Sequence, residues 1–180
     1  MKNVLVPVAD GSEELETVAI VDVLRRAGAN VFVAAVKELV VTGSKGVKLV
    51  VDRLLSDCTQ EPFDVIVLPG GMPGAERLRD STVLISLLKR QADEGRLYAA
   101  LCASPAVALR PHGLLRGKRF TCHPNFSQGI SDGLSTEPVV VDGNLVTGRG
   151  AGTAVDFALT LVELLYGRKK VEEVRQGMAM

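Results

Sequence analysis

A chain of 180 residues is long enough to bury one substantial core, and length favours one domain over residues 1–180 rather than two. Lys plus Arg and Asp plus Glu balance at 21 each, with no basic cluster interleaved with aromatics, which disfavours a nucleic-acid or membrane surface and favours a small neutral substrate. Three cysteines, Cys58, Cys102 and Cys122, cannot all pair and lack zinc-ligand spacing, so free thiols in a reducing compartment are expected.

Val4 to Val8 reads as a buried strand, followed by the turn Ala9-Asp10-Gly11 and a helix from about Ser12 to Ala27 with Gly28 at its C′ position. The strand pattern begins almost at once, without a signal peptide, and no apolar run is long enough to span a bilayer. The cytosol is therefore the default location, and a transit peptide or tandem partner domain outside this sequence is compatible with it. Asn30 to Val36 is the next strand, which makes a βαβ unit and sets an α/β fold class.

Val40-Val41 and Val47 to Val51 flank Thr42-Gly43-Ser44-Lys45-Gly46 as a small hairpin, and a polar linker runs to Pro62. Asp64 to Leu68 is a buried strand entering Pro69-Gly70-Gly71-Met72-Pro73-Gly74, after which helical periodicity continues to about Glu94, with Gly95 as the stop. Leu97 to Leu101 is apolar without alternation, as suits a strand covered on both faces, and Ser104-Pro105 opens a helix to about Arg110. Arg119 to Thr121 leads into Cys122-His123-Pro124. Val139 to Val141 and Leu145 to Thr147 bracket the hairpin turn Asp142-Gly143-Asn144, and helices follow over Thr153 to Tyr166 and Lys169 to Gln176.

In a parallel sheet with helical crossovers, every strand-to-helix turn lies at the carboxyl edge, where ligands bind. Asp10 to Glu16, Pro69 to Gly74 and Cys102 to Pro105 should meet there, with Gly148 to Gly152 close by. Cys102 then faces the N-terminus of a helix, which favours the thiolate. It reads either as a nucleophile or as a buried structural cysteine. Glu16 shares a helix face with Ile20, Val23 and Ala27, so it is either a carboxyl with a raised pKa fit for proton transfer or a solvated helix glutamate. Glu13 and Glu14 are explained by the helix dipole alone. The N–H groups of Gly70 and Gly71 are free to hold an oxyanion or simply to make a tight turn. His112 reads as a loop residue; His123 is a base or a bystander, and Cys122 beside it is a weak metal pair. Gly148-Arg149-Gly150-Ala151-Gly152 lacks a third glycine at Thr153 and a βαβ unit downstream, which rejects a dinucleotide site. Val18 and Val21 leave the first helix apolar beyond one packed face, as burial against a second subunit or against the same chain would require.

Gly11-Ser12-Glu13-Glu14-Leu15-Glu16-Thr17, Val65 to Gly71, Ala99 to Pro105, Cys122-His123-Pro124 and Gly148 to Thr153 together resemble the ThiJ/PfpI superfamily, and within it the parkinsonism-associated deglycase and glyoxalase III branch. The resemblance implies a flavodoxin-like three-layer α/β/α sandwich, a homodimer, and a cysteine in a strained nucleophile elbow. It implies Cys102 as nucleophile and oxidation-sensitive thiol, Glu16 as its hydrogen-bonded carboxyl, Gly71 and Ala103 as oxyanion N–H donors, and His123 as a pocket residue. Glu13 would lie near the pocket and Arg26 in a cationic patch at the dimer interface. Lys45 stands where the branch often has a second arginine, which loses bidentate anion binding, and Ser104 replaces the usual glycine before the elbow proline. The implied chemistry is conversion of a 2-oxoaldehyde to a 2-hydroxy acid, or removal of early glycation adducts, without metal, nucleotide or glutathione. The competing expectation is a redox sensor or chaperone acting through oxidation of Cys102. A peptidase of another branch would normally carry histidine directly after the nucleophile, where this chain has Ala103.

Overall fold

The computed structural model describes all 180 residues. The strands are β1 (Asn3–Val8), β2 (Asn30–Ala35), β3 (Val40–Thr42), β4 (Lys48–Val50), β5 (Arg53–Leu54), β6 (Val65–Leu68), β7 (Leu97–Leu101), β8 (Val139–Asp142) and β9 (Leu145–Gly148). The helices are α1 (Glu14–Arg26), α2 (Gly74–Arg79), α3 (Thr82–Asp93), α4 (Ala154–Tyr166) and α5 (Arg168–Gly177). Seven strands form one sheet in the order β5-β2-β1-β6-β7-β9-β8, parallel except for the β8–β9 hairpin, while β3 and β4 pair separately as an antiparallel ribbon.

Side-chain alternation divides the core into two layers. Val4, Val6 and Val8 of β1, Val65 and Val67 of β6, and Ala99 and Leu101 of β7 face one cluster, which Ile20 and Leu24 of α1 and Phe157 and Leu161 of α4 complete. Leu5, Ile66, Leu68, Tyr98 and Ala100 face the other, packed on Leu84 and Leu88 of α3. Both faces are covered, so past Asn3 at the edge of β1 these strands are unbroken apolar runs, as the sequence shows. The result is an α/β three-layer sandwich.

Three sequence expectations need correction. The linker before Pro62 contains β5, a two-residue edge strand pairing with Ala34 and Ala35 of β2. The long helix expected after Gly74 is two, because the Ser81 hydroxyl accepts the Leu84 N–H at 3.3 Å and caps a new helix after the α2 C-terminus. The helix after Cys102 is a single wide turn over Pro105–Leu109, continued by a tight turn over Arg110–His112 that ends at Gly113 with φ 77°. Ser104 does not cap it. Its hydroxyl donates to the Pro69 carbonyl at 2.5 Å, tying the two carboxyl-edge loops together.

Candidate active site

β1, β6, β7 and β9 all deliver their carboxyl ends to one side of the sheet, and the loops that follow enclose a cavity of about 580 Å³. Cys102 directly follows β7 and has φ 62°, a left-handed conformation that disfavours any side chain. Two backbone hydrogen bonds hold it there: its N–H donates to Gly148 O at 2.9 Å, and its carbonyl accepts the His123 N–H at 2.9 Å. The thiol is therefore turned out of the sheet into the cavity, half-exposed, as a nucleophile elbow requires.

Gly70 lies under it. A Cβ at Gly70 would stand 2.6 Å from Cys102 Cβ and 2.9 Å from Ala103 N, so only glycine lets the β6 loop pass the elbow. Gly71, at φ 87°, sits against the backbone of Glu13 and Gly11. This packing directs the N–H groups of Gly71 and Ala103 at the Cys102 sulfur.

Glu16, on the first turn of α1, is fully buried. Its Oε2 accepts the Gly70 N–H at 2.7 Å, Oε1 has no hydrogen-bond partner, and the carboxyl as a whole lies against the Cys102 thiol. Burial raises its pKa to about 7 against the opposing Gly70 and Cys102 hydrogen bonds. Burial, followed by the charge of Glu16, pushes Cys102 up to about 12. The sequence expectation of a thiolate made by a helix dipole is thus corrected: the element after Cys102 is one turn long, and the dominant neighbour is an acid. The two groups form a coupled pair that releases one proton near neutrality and retains the second. When the retained proton sits on Glu16, its charge no longer opposes the thiolate, and the Gly71 and Ala103 N–H groups remain to stabilise it.

Glu13 lines the cavity and accepts the Ser44 hydroxyl at 2.5 Å. His123 lines it too, but its ring makes no hydrogen bond to the thiol. Nδ1 accepts the Asn125 N–H at 3.2 Å and the ring packs edge-on against Phe126, which leaves Nε2 to carry the proton. Lys45 reaches the cavity from the hairpin turn, whereas Arg26 lies at the far end of α1, paired with Asp22 at 2.6 Å. One chain does not bring Arg26 and Lys45 into a common patch. Arg149, which nothing in the pattern of the glycine-rich segment singles out, lines the cavity and donates to Thr136 O at 2.9 Å. No three His, Cys, Asp or Glu side chains converge in a way that would hold a metal ion.

Residues 2–164 match the DJ-1/PfpI family. The chain is 52% identical over 170 residues to Protein DJ-1 homolog B of Arabidopsis thaliana, covering 93% of this chain and 39% of that protein. Against Protein DJ-1 homolog A of the same plant the share is 43%, so the chain spans about two-fifths of these relatives. It is 36% identical to the glutathione-independent glyoxalase DJR-1.2 of Caenorhabditis elegans, covering 98% of this chain and 95% of that one. Its fold superposes on oxidized Toxoplasma gondii DJ-1 with a TM-score of 0.97 at 44% identity, covering 99% and 98% of the two chains. Sequence, fold and the elbow around Cys102 agree, and the chain belongs to the DJ-1/PfpI family.

Proposed function

We propose that the protein converts 2-oxoaldehydes to 2-hydroxy acids without glutathione, methylglyoxal to lactate being the simplest case, and that early glycation adducts on proteins or nucleotides can meet the same thiol. The observation that carries this reading is the buried Glu16 carboxyl, fixed through one oxygen by Gly70 and set against the Cys102 thiol. The Caenorhabditis relative named for this activity supports it.

In the reaction, the Cys102 thiolate adds to the aldehyde carbon. The new oxyanion is held by the Gly71 and Ala103 N–H groups and takes the proton from Glu16, giving a hemithioacetal. The Glu16 carboxylate then removes the hydrogen on that carbon as a proton, electrons flow onto the neighbouring carbonyl oxygen, and the hydroxyl proton of the first carbon passes to that oxygen in the enediolate. Returning the proton to the second carbon gives a thioester: the first carbon has been oxidised and the second reduced, so no external electron acceptor enters. Water cleaves the thioester, releasing the 2-hydroxy acid and restoring the Cys102–Glu16 pair. A carboxyl with a pKa of about 7 suits both directions of proton transfer.

The protein is expected to work as a homodimer. Leu15 and Val18 on α1 are 56% and 52% exposed and Val50 on β4 is 82% exposed, so the apolar girth of α1 is not covered by its own chain.

The test is lactate production from methylglyoxal in an amine-free, glutathione-free buffer, with Cys102→Ser and Glu16→Ala alongside. Turnover in the wild type and its loss in both variants is the expected result; activity retained in either variant would overturn the mechanism. A second reading, oxidation sensing, draws on the same half-exposed thiol, whose flanking N–H groups and acid suit the oxygens of a sulfinate. Absent turnover with ready sulfinate formation would select it.

A further inference from the structure

Glu14 has no place in the chemistry above, yet it is only 7% exposed on the surface helix that carries Glu16. A first-turn glutamate that merely faces the helix dipole stays in water; this one is folded under the β3–β4 hairpin. Its Oε1 accepts the backbone N–H of Lys45 at 2.9 Å and of Val47 at 3.1 Å. Its Oε2 accepts Lys45 N–H at 3.1 Å and lies 3.3 Å from the Ser44 hydroxyl, which it shares as an acceptor with the nearer Glu13. All these donors are uncharged. Burial pushes the carboxyl up, but the donated N–H and hydroxyl groups outweigh it and hold the pKa below the ordinary value, so the group is a carboxylate at neutral pH.

The hairpin tip is held in two halves. Its first half is fixed by backbone bonds: Gly11 N–H to Thr42 O and Ser44 N–H to Ser12 O, each 2.8 Å. In the second half, the N–H groups of Lys45 and Val47 both go to Glu14. Gly43 is matched to this contact, because a Cβ there would stand 2.5 Å from Glu14 Oε2 and 2.6 Å from its Cδ. The tip so held carries Lys45 to the wall of the Cys102 cavity.

We propose that Glu14 is a positioning residue whose carboxylate clamps the hairpin tip to α1 and thereby holds the Lys45 ammonium over the Cys102 cavity, where it selects for substrates bearing a negative charge. A 2-oxo acid aldehyde or a phosphorylated adduct is the substrate class such a cation favours. The proposal rests on the reading of Cys102 as the reactive thiol, and its test therefore avoids aldehyde turnover.

The experiment compares alkylation of Cys102 by iodoacetate and by iodoacetamide, followed by mass spectrometry of the Cys102 peptide, in the wild type, Lys45→Ala, Glu14→Ala, the double variant and Gly43→Ala. Amide hydrogen exchange at Lys45 and Val47 is followed in the same proteins. Removing one partly exposed cation should lower the preference for the anionic reagent roughly threefold. Glu14→Ala should reproduce the Lys45→Ala loss, the double variant should lose no more, and exchange at Lys45 and Val47 should accelerate in Glu14→Ala and Gly43→Ala. Unchanged preference and protection in Glu14→Ala, or losses that simply add in the double variant, overturn the proposal. Should Glu14→Ala fail to fold, Gly43→Ala, which keeps Glu14 but displaces its carboxylate, decides by the same two readouts. A wild-type thiol inert to both reagents would count against the reading of Cys102 instead, and exchange at the hairpin tip would still decide the clamp.

Discussion

Gly70 donates its N–H to Glu16 Oε2 at 2.7 Å, and this one bond fixes the buried carboxyl while leaving Oε1 without a hydrogen-bond partner. A carboxyl free to rotate would exchange its oxygens between the loop and the sulfur. Here the bond to the β6 loop fixes the orientation of the acid.

If Glu16 and Cys102 share a proton, replacing the acid removes a step from the pH profile of the thiol. In the wild type, the rate of alkylation by iodoacetamide should rise through pH 7 and then level, following the pair. In Glu16→Gln that step should vanish, and the rate should instead climb steadily with pH as a lone thiol ionises. A wild-type profile in the variant would rule out the shared proton.

The same residue makes stability depend on pH. Glu16 has a folded-state pKa of about 7 against an ordinary 4.5, so the folded protein binds the proton more tightly than the unfolded chain. Its contribution is complete below about pH 4.5, declines as pH rises, and is gone above pH 7. Glu16→Gln mimics the protonated form at every pH. The variant should gain stability relative to the wild type between pH 4.5 and pH 8, by up to about 3 kcal/mol, in paired urea titrations. Carboxylates common to both proteins cancel in the difference, so a constant difference would refute the assignment.

Gly70→Ala tests the close approach of the β6 loop to the elbow. The new methyl meets Cys102 Cβ at 2.6 Å and Leu101 O at 2.9 Å, where neither neighbour is the end of a flexible side chain. The elbow or the loop must move, and with it the Gly70 bond to Glu16. Activity should fall at least about a hundredfold, as expected when reacting groups shift by an ångström, with a lowered Tm. An unimpaired variant would show that the contact is slack.

Subunit association should depend on the exposed apolar face of α1. Val18→Asp and Val50→Asp each put a charge where burial is expected, and each should shift the protein to monomer in sedimentation velocity while leaving its circular dichroism unchanged. A monomeric wild type would remove the dimer from the proposal.

Away from the site, Gln91 joins α3 to the sheet: its amide donates to Phe63 O and Leu97 O, each at 2.9 Å, from a position only 1% exposed. Gln91→Leu fills the space but leaves two carbonyls without that donor. It should lower unfolding free energy by about 2–3 kcal/mol in denaturant titrations, with activity per folded molecule preserved.

The apolar strands and the residues flanking them were legible because burial on both faces demands unbroken apolar runs, and because turn chemistry after each run places the loops at one edge. Cys102, Glu16, Gly70 and Gly71 could be picked out on that basis. The pattern was silent on β5, since two residues are too few to show a period. It ran through the α2–α3 break because both helices bury the same kinds of residue and only the Ser81 cap divides them. Glu14 was misread for a different reason. Its neighbours in sequence explain it as a dipole partner, while the hairpin that buries it comes back from some thirty residues further along the chain. For the thiol, the resemblance supplied Glu16 as its neighbour, but the helix expected after Cys102 is a single wide turn, too short to supply the dipole that the local pattern credits.

The backbone bonds from Cys102 to Gly148 and His123 have a consequence for what this fold can become. They fix the residue's place without involving its side chain, so the strained conformation is inherited by whatever stands at 102. Position and reactivity are separate properties here. A hydroxyl, a selenol or a bare methyl would be presented at the same point above the same two N–H groups, and the scaffold could trade one chemistry for another, or lose it altogether, while remaining the same shape.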